Sequence, residues 1–124
     1  MRASQLTDPT AGLERVDLGV SVSTFTPHRS PLGLVFTAKG FGANAKKGAL
    51  HAVMLSWGAS IGDLPDQGQH LQALAFFKQG KSYRVTTQRL AKGFKNPIGE
   101  VVIGRHVYVL EYGKGGAIWE LTFS

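Results

Sequence analysis

The sequence predicts an all-β fold made of two antiparallel, four-stranded units. Three observations predict it. Gly is abundant, at 16 of 124 residues, while only 18% of residues are charged. That mixture suits many short strands joined by tight turns better than long helices. Apolar or alternating runs of strand length recur, separated by Gly, Pro, Asn and Asp. Finally, the chain repeats itself, a signature of architectures built by stacking one unit on the next. Hydrophobic residues make up 43%, enough for a real core in one domain.

The elements follow in order. Residues 1–12 carry Ser, Thr, Asp8-Pro9 and Gly, and read as a flexible tail. Residues 13–26 hold a strand with Val16, Leu18, Val20 and Val22 on one side, and Thr26-Pro27 ends it. Strands are then expected over 32–37 and 49–57, with a Gly/Lys/Asn-rich loop between them. A polar loop, 61–69, leads to 70–79, which is apolar enough for a strand or one short helix. Gln79-Gly80-Lys81 forms a turn before a strand over 82–90, and 91–97 is a further loop. The last strands are 98–103, 106–112 and 117–123. Gly104-Arg105 fits a two-residue hairpin turn with Gly first.

The repeat relates the two halves. Ser30-Pro31-Leu32-Gly33 resembles Asn96-Pro97-Ile98-Gly99, an offset of 66 residues from Pro31 to Pro97. The segment from His51 to Gly58 aligns without a gap to His106 to Gly113, an offset of 55. The first unit therefore carries 11 extra residues between its first two strands, where Gly40 to Lys47 lies. Each unit continues into a strand that ends in aromatic residues: Phe76-Phe77 in one, Trp119 to Phe123 in the other. The inner strands are nearly continuously apolar, as in sheets covered on both faces. Two such units are expected to be β-propeller blades: 27–92 is the first and 93–124 the second, with strand 13–26 closing the second.

Composition narrows the function classes. There is no Cys, which excludes disulfides, thiol catalysis and Cys-ligated zinc. No apolar run approaches the roughly 20 residues of a membrane-spanning helix, and the first residues lack the apolar stretch of a signal peptide. The formal net charge of +6 is spread along the chain and dense only from Lys78 to Lys95. There the charges alternate with apolar residues, the pattern of a solvated strand pair, and a nucleic-acid-associated module is the weaker alternative. The four His are scattered without carboxylate company, so no metal is expected from spacing. No nucleophile elbow, phosphate-binding loop or acid pair is present.

His28 to Phe36 resembles the His-x-x-Pro-Leu-Gly-apolar-x-Phe segment of sorbosone and soluble glucose dehydrogenase-like proteins. Ala52 to Gly58, with Ser56-Trp57, resembles the Gly-Ser-Trp strand that follows there. Gly93 to Ile98, Val107-Tyr108-Val109 and Gly115 to Phe123 resemble that family's last blade. The resemblance implies a six-bladed propeller, of which this chain matches the final third. It also implies pyrroloquinoline quinone and calcium as cofactors, a sugar as substrate and an extracytoplasmic location. The family's catalytic base and calcium ligands lie in earlier blades, so no catalytic residue is carried over. This chain also departs from the pattern, with Gly58-Ala59 for Asn-Arg and Gly104-Arg105 for Asp-Gly.

The candidate ligand-binding residues are His28, Arg29, Trp57, Lys95, Asn96 and Tyr112. His28 and Arg29 precede the first innermost strand, where one can take a proton from a sugar hydroxyl and the other pair with a carboxylate. Lys95 and Asn96 stand at the matching place in the second unit and add a cation to the same rim. Trp57 and Tyr112 are equivalent aromatics, able to stack on a sugar ring or a quinone and equally able to pack between blades. Two blades cannot close a ring and would expose apolar faces. The expected partners are further copies of the chain, a trimer first, or other protein chains. The expected activity is assembly with binding of a sugar or other small ligand, the alternative being a quinone-dependent sugar dehydrogenase completed by assembly.

Overall fold

The computed structural model describes residues 30–58, 68–113 and 115–124. These residues form seven strands: β1 (Pro31–Thr37), β2 (Leu50–Ser56), β3 (His70–Gln79), β4 (Ser82–Lys92), β5 (Pro97–Ile103), β6 (His106–Glu111) and β7 (Ala117–Thr122). One 3-10 turn, Gly42–Asn44, lies between β1 and β2. The strands make two antiparallel meanders, a four-stranded sheet in the order β1-β2-β3-β4 and a three-stranded sheet in the order β5-β6-β7. The all-β expectation therefore holds. The second sheet has three strands among the described residues, not four, and the closing strand expected over 13–26 lies outside them.

Segment 70–79 is a strand, not a helix, because it is the middle member of the sheet's longer half. Its backbone pairs with β2 from His70↔Ser56 to Phe76↔Leu50, and with β4 on its other edge. A helix would leave both neighbours with unpaired amides and carbonyls. Two-residue turns close the β3–β4 and β5–β6 hairpins. Gly80 and Gly104 stand at φ +59° and +61°, the left-handed conformation that the first position of such a turn demands. β4 is the outer edge of the first sheet among the described residues. Its exposed Arg84, Arg89 and Lys92 discourage pairing with another strand.

The repeat is written into the hydrogen-bonding register. β1 and β2 pair from Thr37↔His51, and β5 and β6 from Ile103↔His106, which reproduces both the 66- and the 55-residue offsets. Both hairpins carry the same bulge, between Pro31 and Gly33 in one and between Pro97 and Gly99 in the other. Ser30 and Asn96, each just before its bulge, are the two described non-Gly residues with positive φ, at 43° and 51°. The third strands follow suit at an offset of 47, since His51 pairs with Ala75 and His106 with Thr122.

The two sheets lie against each other and bury one core. Val53, Leu55, Leu71 and Ala73 of the first sheet meet Val107 and Val109 of the second. Phe94, on the connection between the sheets, and Phe41, in the insertion, complete the cluster. The 11 extra residues thus have a structural role. They carry Phe41 into the core, where it is 1% exposed, and place Asn44 over the outer strands of the first sheet. The Asn44 side-chain amide donates to the carbonyls of Ala73 at 2.9 Å and Thr86 at 3.1 Å. Its backbone amide donates to the Gln88 side chain at 3.1 Å.

Candidate functional site

The starts of β1, β3, β5 and β7 and the ends of β2, β4 and β6 fall at one end of the two sheets, as antiparallel meanders require. Four of the six predicted ligand residues, Trp57, Lys95, Asn96 and Tyr112, lie there. His28 and Arg29 lie outside the described residues.

In the second sheet the geometry starts from the bulge. Tyr112 N–H donates to the Asn96 carbonyl at 2.9 Å, and Gly113 N–H to the Lys95 carbonyl at 2.9 Å. These bonds extend the β5–β6 ladder past the bulge and hold Lys95, Asn96 and Tyr112 side by side. The buried Glu111 carboxylate accepts the Lys95 backbone amide at 2.6 Å and anchors the loop from beneath. Gly113 is required for that approach, because a Cβ there would stand 2.6 Å from the Lys95 Cβ. The left-handed conformation of Asn96 falls on one of the few side chains that adopt it readily. The outcome is a backbone-fixed group with Tyr112 77% exposed and Lys95 exposed beside it.

The first sheet repeats the frame with different chemistry. Trp57 N–H donates to the Ser30 carbonyl at 3.0 Å, the counterpart of the Tyr112–Asn96 bond. Trp57 is half-buried where Tyr112 is exposed. Ser56 stands where the second sheet has Glu111, and its hydroxyl is buried without a hydrogen-bond partner. A further bond, from Gly93 N–H to the Gln69 carbonyl at 3.2 Å, ties the connection between the sheets to the entry of β3.

Two features escaped sequence reasoning. Glu100 on β5 points between the sheets. Its carboxyl stands over Gly33, where an added Cβ would collide with it, and its Oε1 is buried without a partner. Burial pushes its pKa up, against the pull of the nearby Leu55 backbone and its own amide, which favour the charged form. A lone Glu in an apolar strand offered no pairing from which this could be read. The second feature is a cleft of about 350 Å³ at the opposite end of the strands, lined by Phe36, Thr37, Lys39, Val102 and Arg105 among others. It exists because the β1 end and the β5–β6 turn converge, which is a tertiary fact.

Among the described residues no three His, Asp or Glu side chains converge to hold a cation. The described residues thus offer no cluster of such side chains for the calcium that the family resemblance implies, and no step through calcium or a quinone is derived from them. No helix of the described residues is long and apolar enough to cross a membrane. No protein-family model, curated protein or solved structure matches the chain.

Proposed function

We propose that this chain is a two-blade segment of a β-propeller that acts by assembly and binds a sugar or other small polar ligand at its rim. The two sheets are read as neighbouring blades because they share one strand register, one bulge and one left-handed residue before the bulge. The likeness of His28 to Phe36 and of the last strands to sugar-dehydrogenase propellers adds to this reading.

One observation carries the ligand site. Tyr112 holds a largely exposed ring on a backbone pinned to Asn96, with Lys95 as its neighbour. An aromatic face, an amide and an ammonium on fixed backbone can stack on a sugar ring, bond its hydroxyls and attract a carboxylate or phosphate substituent. Since the frame is rigid, the ligand would not have to order it, which favours affinity.

The test is a titration of neutral sugars and sugar acids against the full chain, followed by NMR chemical shifts. Saturable shifts at Tyr112, Lys95 and Asn96 are expected. Tyr112→Ala and Lys95→Ala should each weaken binding about tenfold, or 1.4 kcal/mol. Absence of saturable binding, or binding indifferent to both substitutions, would reject the rim site.

A further inference from the structure

The way the two sheets stack specifies what covers their remaining faces. The first sheet turns Val35, Val53, Leu55 and Leu71 toward the second. Under the register offsets of 66, 55 and 47, their counterparts are Val101, Tyr108, Leu110 and Ile118. None of these faces the first sheet; they form the opposite side of the second. There Val101 is 56% exposed, Leu110 43% and Ile118 72%. Conversely, the second sheet turns Val102, Val107, Val109 and Leu121 toward the first. Their counterparts are Phe36, Ala52, Met54 and Leu74, which form the outer side of the first sheet.

The stacking is therefore front to back: the front of one unit covers the back of the next. A pseudo-twofold pair would have joined front to front and left two equivalent faces. Among the described residues this arrangement leaves one front, on the second sheet, and one back, on the first, where Leu34 and Phe36 are the exposed part, and those are the two kinds of surface already joined once inside the chain. Contacts of this head-to-tail type are not self-limiting, and they end only by closing a ring or by running on.

The fit extends to single residues. Within the chain, Glu100 enters the space over Gly33. The counterpart of Gly33 is Gly99, and nothing lies within 4 Å of a Cβ placed there. Gly99 and Glu100 instead border a hollow of about 310 Å³ walled by Val101, Tyr108, Leu110 and Ile118. The counterpart of Glu100 is Leu34, which is 49% exposed on the outer side of the first sheet. Beside it Phe36 is 62% exposed, although Ala52, Met54 and Leu74 of the same side are buried, with Phe76 and Val85 packed on them. A second apolar knob thus stands ready for a second, apolar hole.

We infer that the exposed face of the second sheet receives the exposed Leu34 and Phe36 side of the first sheet's outer face from another copy of this chain, with Leu34 of that copy seated over Gly99. The occupant is a copy of the chain because the knob and the hole are both on it, related by its own repeat. Leu34 replaces Glu100 at the new contact, while the carboxylate of that face, Glu120, is already engaged by Tyr108 and His106. Three copies would supply six sheets, within the range over which propeller rings close. The inference rests on reading the sheets as blades and adds the faces through which copies join.

Two surface substitutions test it, Leu34→Glu on the back and Ile118→Glu on the front, each read by native mass. The unaltered chain should form a particle of a whole-number multiple of 13.3 kDa, and each variant alone should fall to 13.3 kDa. Mixed in equal amounts, the two should form a two-chain species, because each keeps the face that the other lacks. That recovery also shows that both variants are folded. An assembled particle whose mass neither substitution changes would overturn this interface while leaving assembly itself intact. A mixture that stays monomeric would overturn the head-to-tail geometry. An unaltered chain that is monomeric would overturn both the inference and the assembly reading, without touching the ligand titration of the rim.

Discussion

The guanidinium of Arg105 lies over the ring of Phe41, 4.8 Å from its centroid, although the two residues lie in connections of different sheets. Phe41 comes from the insertion after β1 and Arg105 from the turn between β5 and β6. The same guanidinium donates to the Gly40 carbonyl at 2.8 Å, to the Phe123 carbonyl at 3.1 Å and to the Ser124 carbonyl. Phe123 in turn packs edge-on against Phe41 with centroids 5.2 Å apart. One side chain thus joins the insertion, the hairpin and the chain's last strand.

Removing either partner should therefore loosen the contact between the sheets. Arg105→Ala is expected to cost about 2 kcal/mol through the lost cation–π contact and charged hydrogen bonds. Arg105→Lys should recover little, since an ammonium cannot serve three carbonyls and a ring from one fork. Phe41→Ala should cost about 3–5 kcal/mol as a core truncation. Urea unfolding of the double variant should reveal a coupling of about 0.5–2 kcal/mol. Strict additivity would show that the two residues act independently.

Asn44 should be irreplaceable by a carboxylate. Its side-chain nitrogen faces the carbonyls of Ala73 and Thr86, while its oxygen stands 3.3 Å from the Thr86 hydroxyl, which donates to it. Asn44→Ala is expected to lose about 1–3 kcal/mol. Asn44→Asp should lose at least as much at neutral pH, because a buried carboxylate would then face two carbonyl oxygens. An aspartate variant as stable as the parent would show that the amide orientation is otherwise.

Gly33 and Gly99 occupy the same place in the repeat and should tolerate alanine differently. At Gly33 a methyl group would collide with the Glu100 carboxyl, so Gly33→Ala should cost about 1–3 kcal/mol by overpacking. At Gly99 the space is open, so Gly99→Ala should change stability by no more than about 0.5 kcal/mol. Thermal unfolding in the Ile118→Glu background keeps any contribution of the proposed assembly out of the comparison. Equal losses at both sites would show that backbone conformation, and not the neighbouring carboxyl, makes the difference.

Glu100 gives stability a pH dependence of known sign. Burial raises its folded-state pKa above 4.5, so the folded chain binds the proton more tightly than the unfolded chain does. The contribution is fully present below the unfolded pKa and is lost as pH rises through the raised folded value. Glu100→Gln should flatten that decline and be more stable than the parent above it. Unfolding free energies of both chains across that range provide the check, and parallel profiles would assign the slope to other groups.

Much of this architecture was legible in the chain itself. The strand positions followed from apolar runs and turn residues, because local alternation and tight-turn chemistry are properties of neighbouring residues. The two offsets of the repeat were readable too, and the ladders from Thr37↔His51 and Ile103↔His106 carry them unchanged. Segment 70–79 was ambiguous, since an apolar run of that length suits strand or helix until its partners are known. Of the candidate rim, the equivalence of Ser30 with Asn96 and of Trp57 with Tyr112 was readable from the repeat, whereas the difference in exposure between Trp57 and Tyr112 was not.

What the sequence determined by itself is thus the unit: its strands, its turns and the fact that it occurs twice. Only the tertiary structure decided how the units stack. Front-to-back packing, the Arg105–Phe41 clamp, the Glu100 carboxyl over Gly33 and the vacant space over Gly99 all join residues far apart in the chain. The physical reason is that an apolar face records that it must be covered, not by which surface. Coverage is settled where shape, charge and register from two distant segments meet.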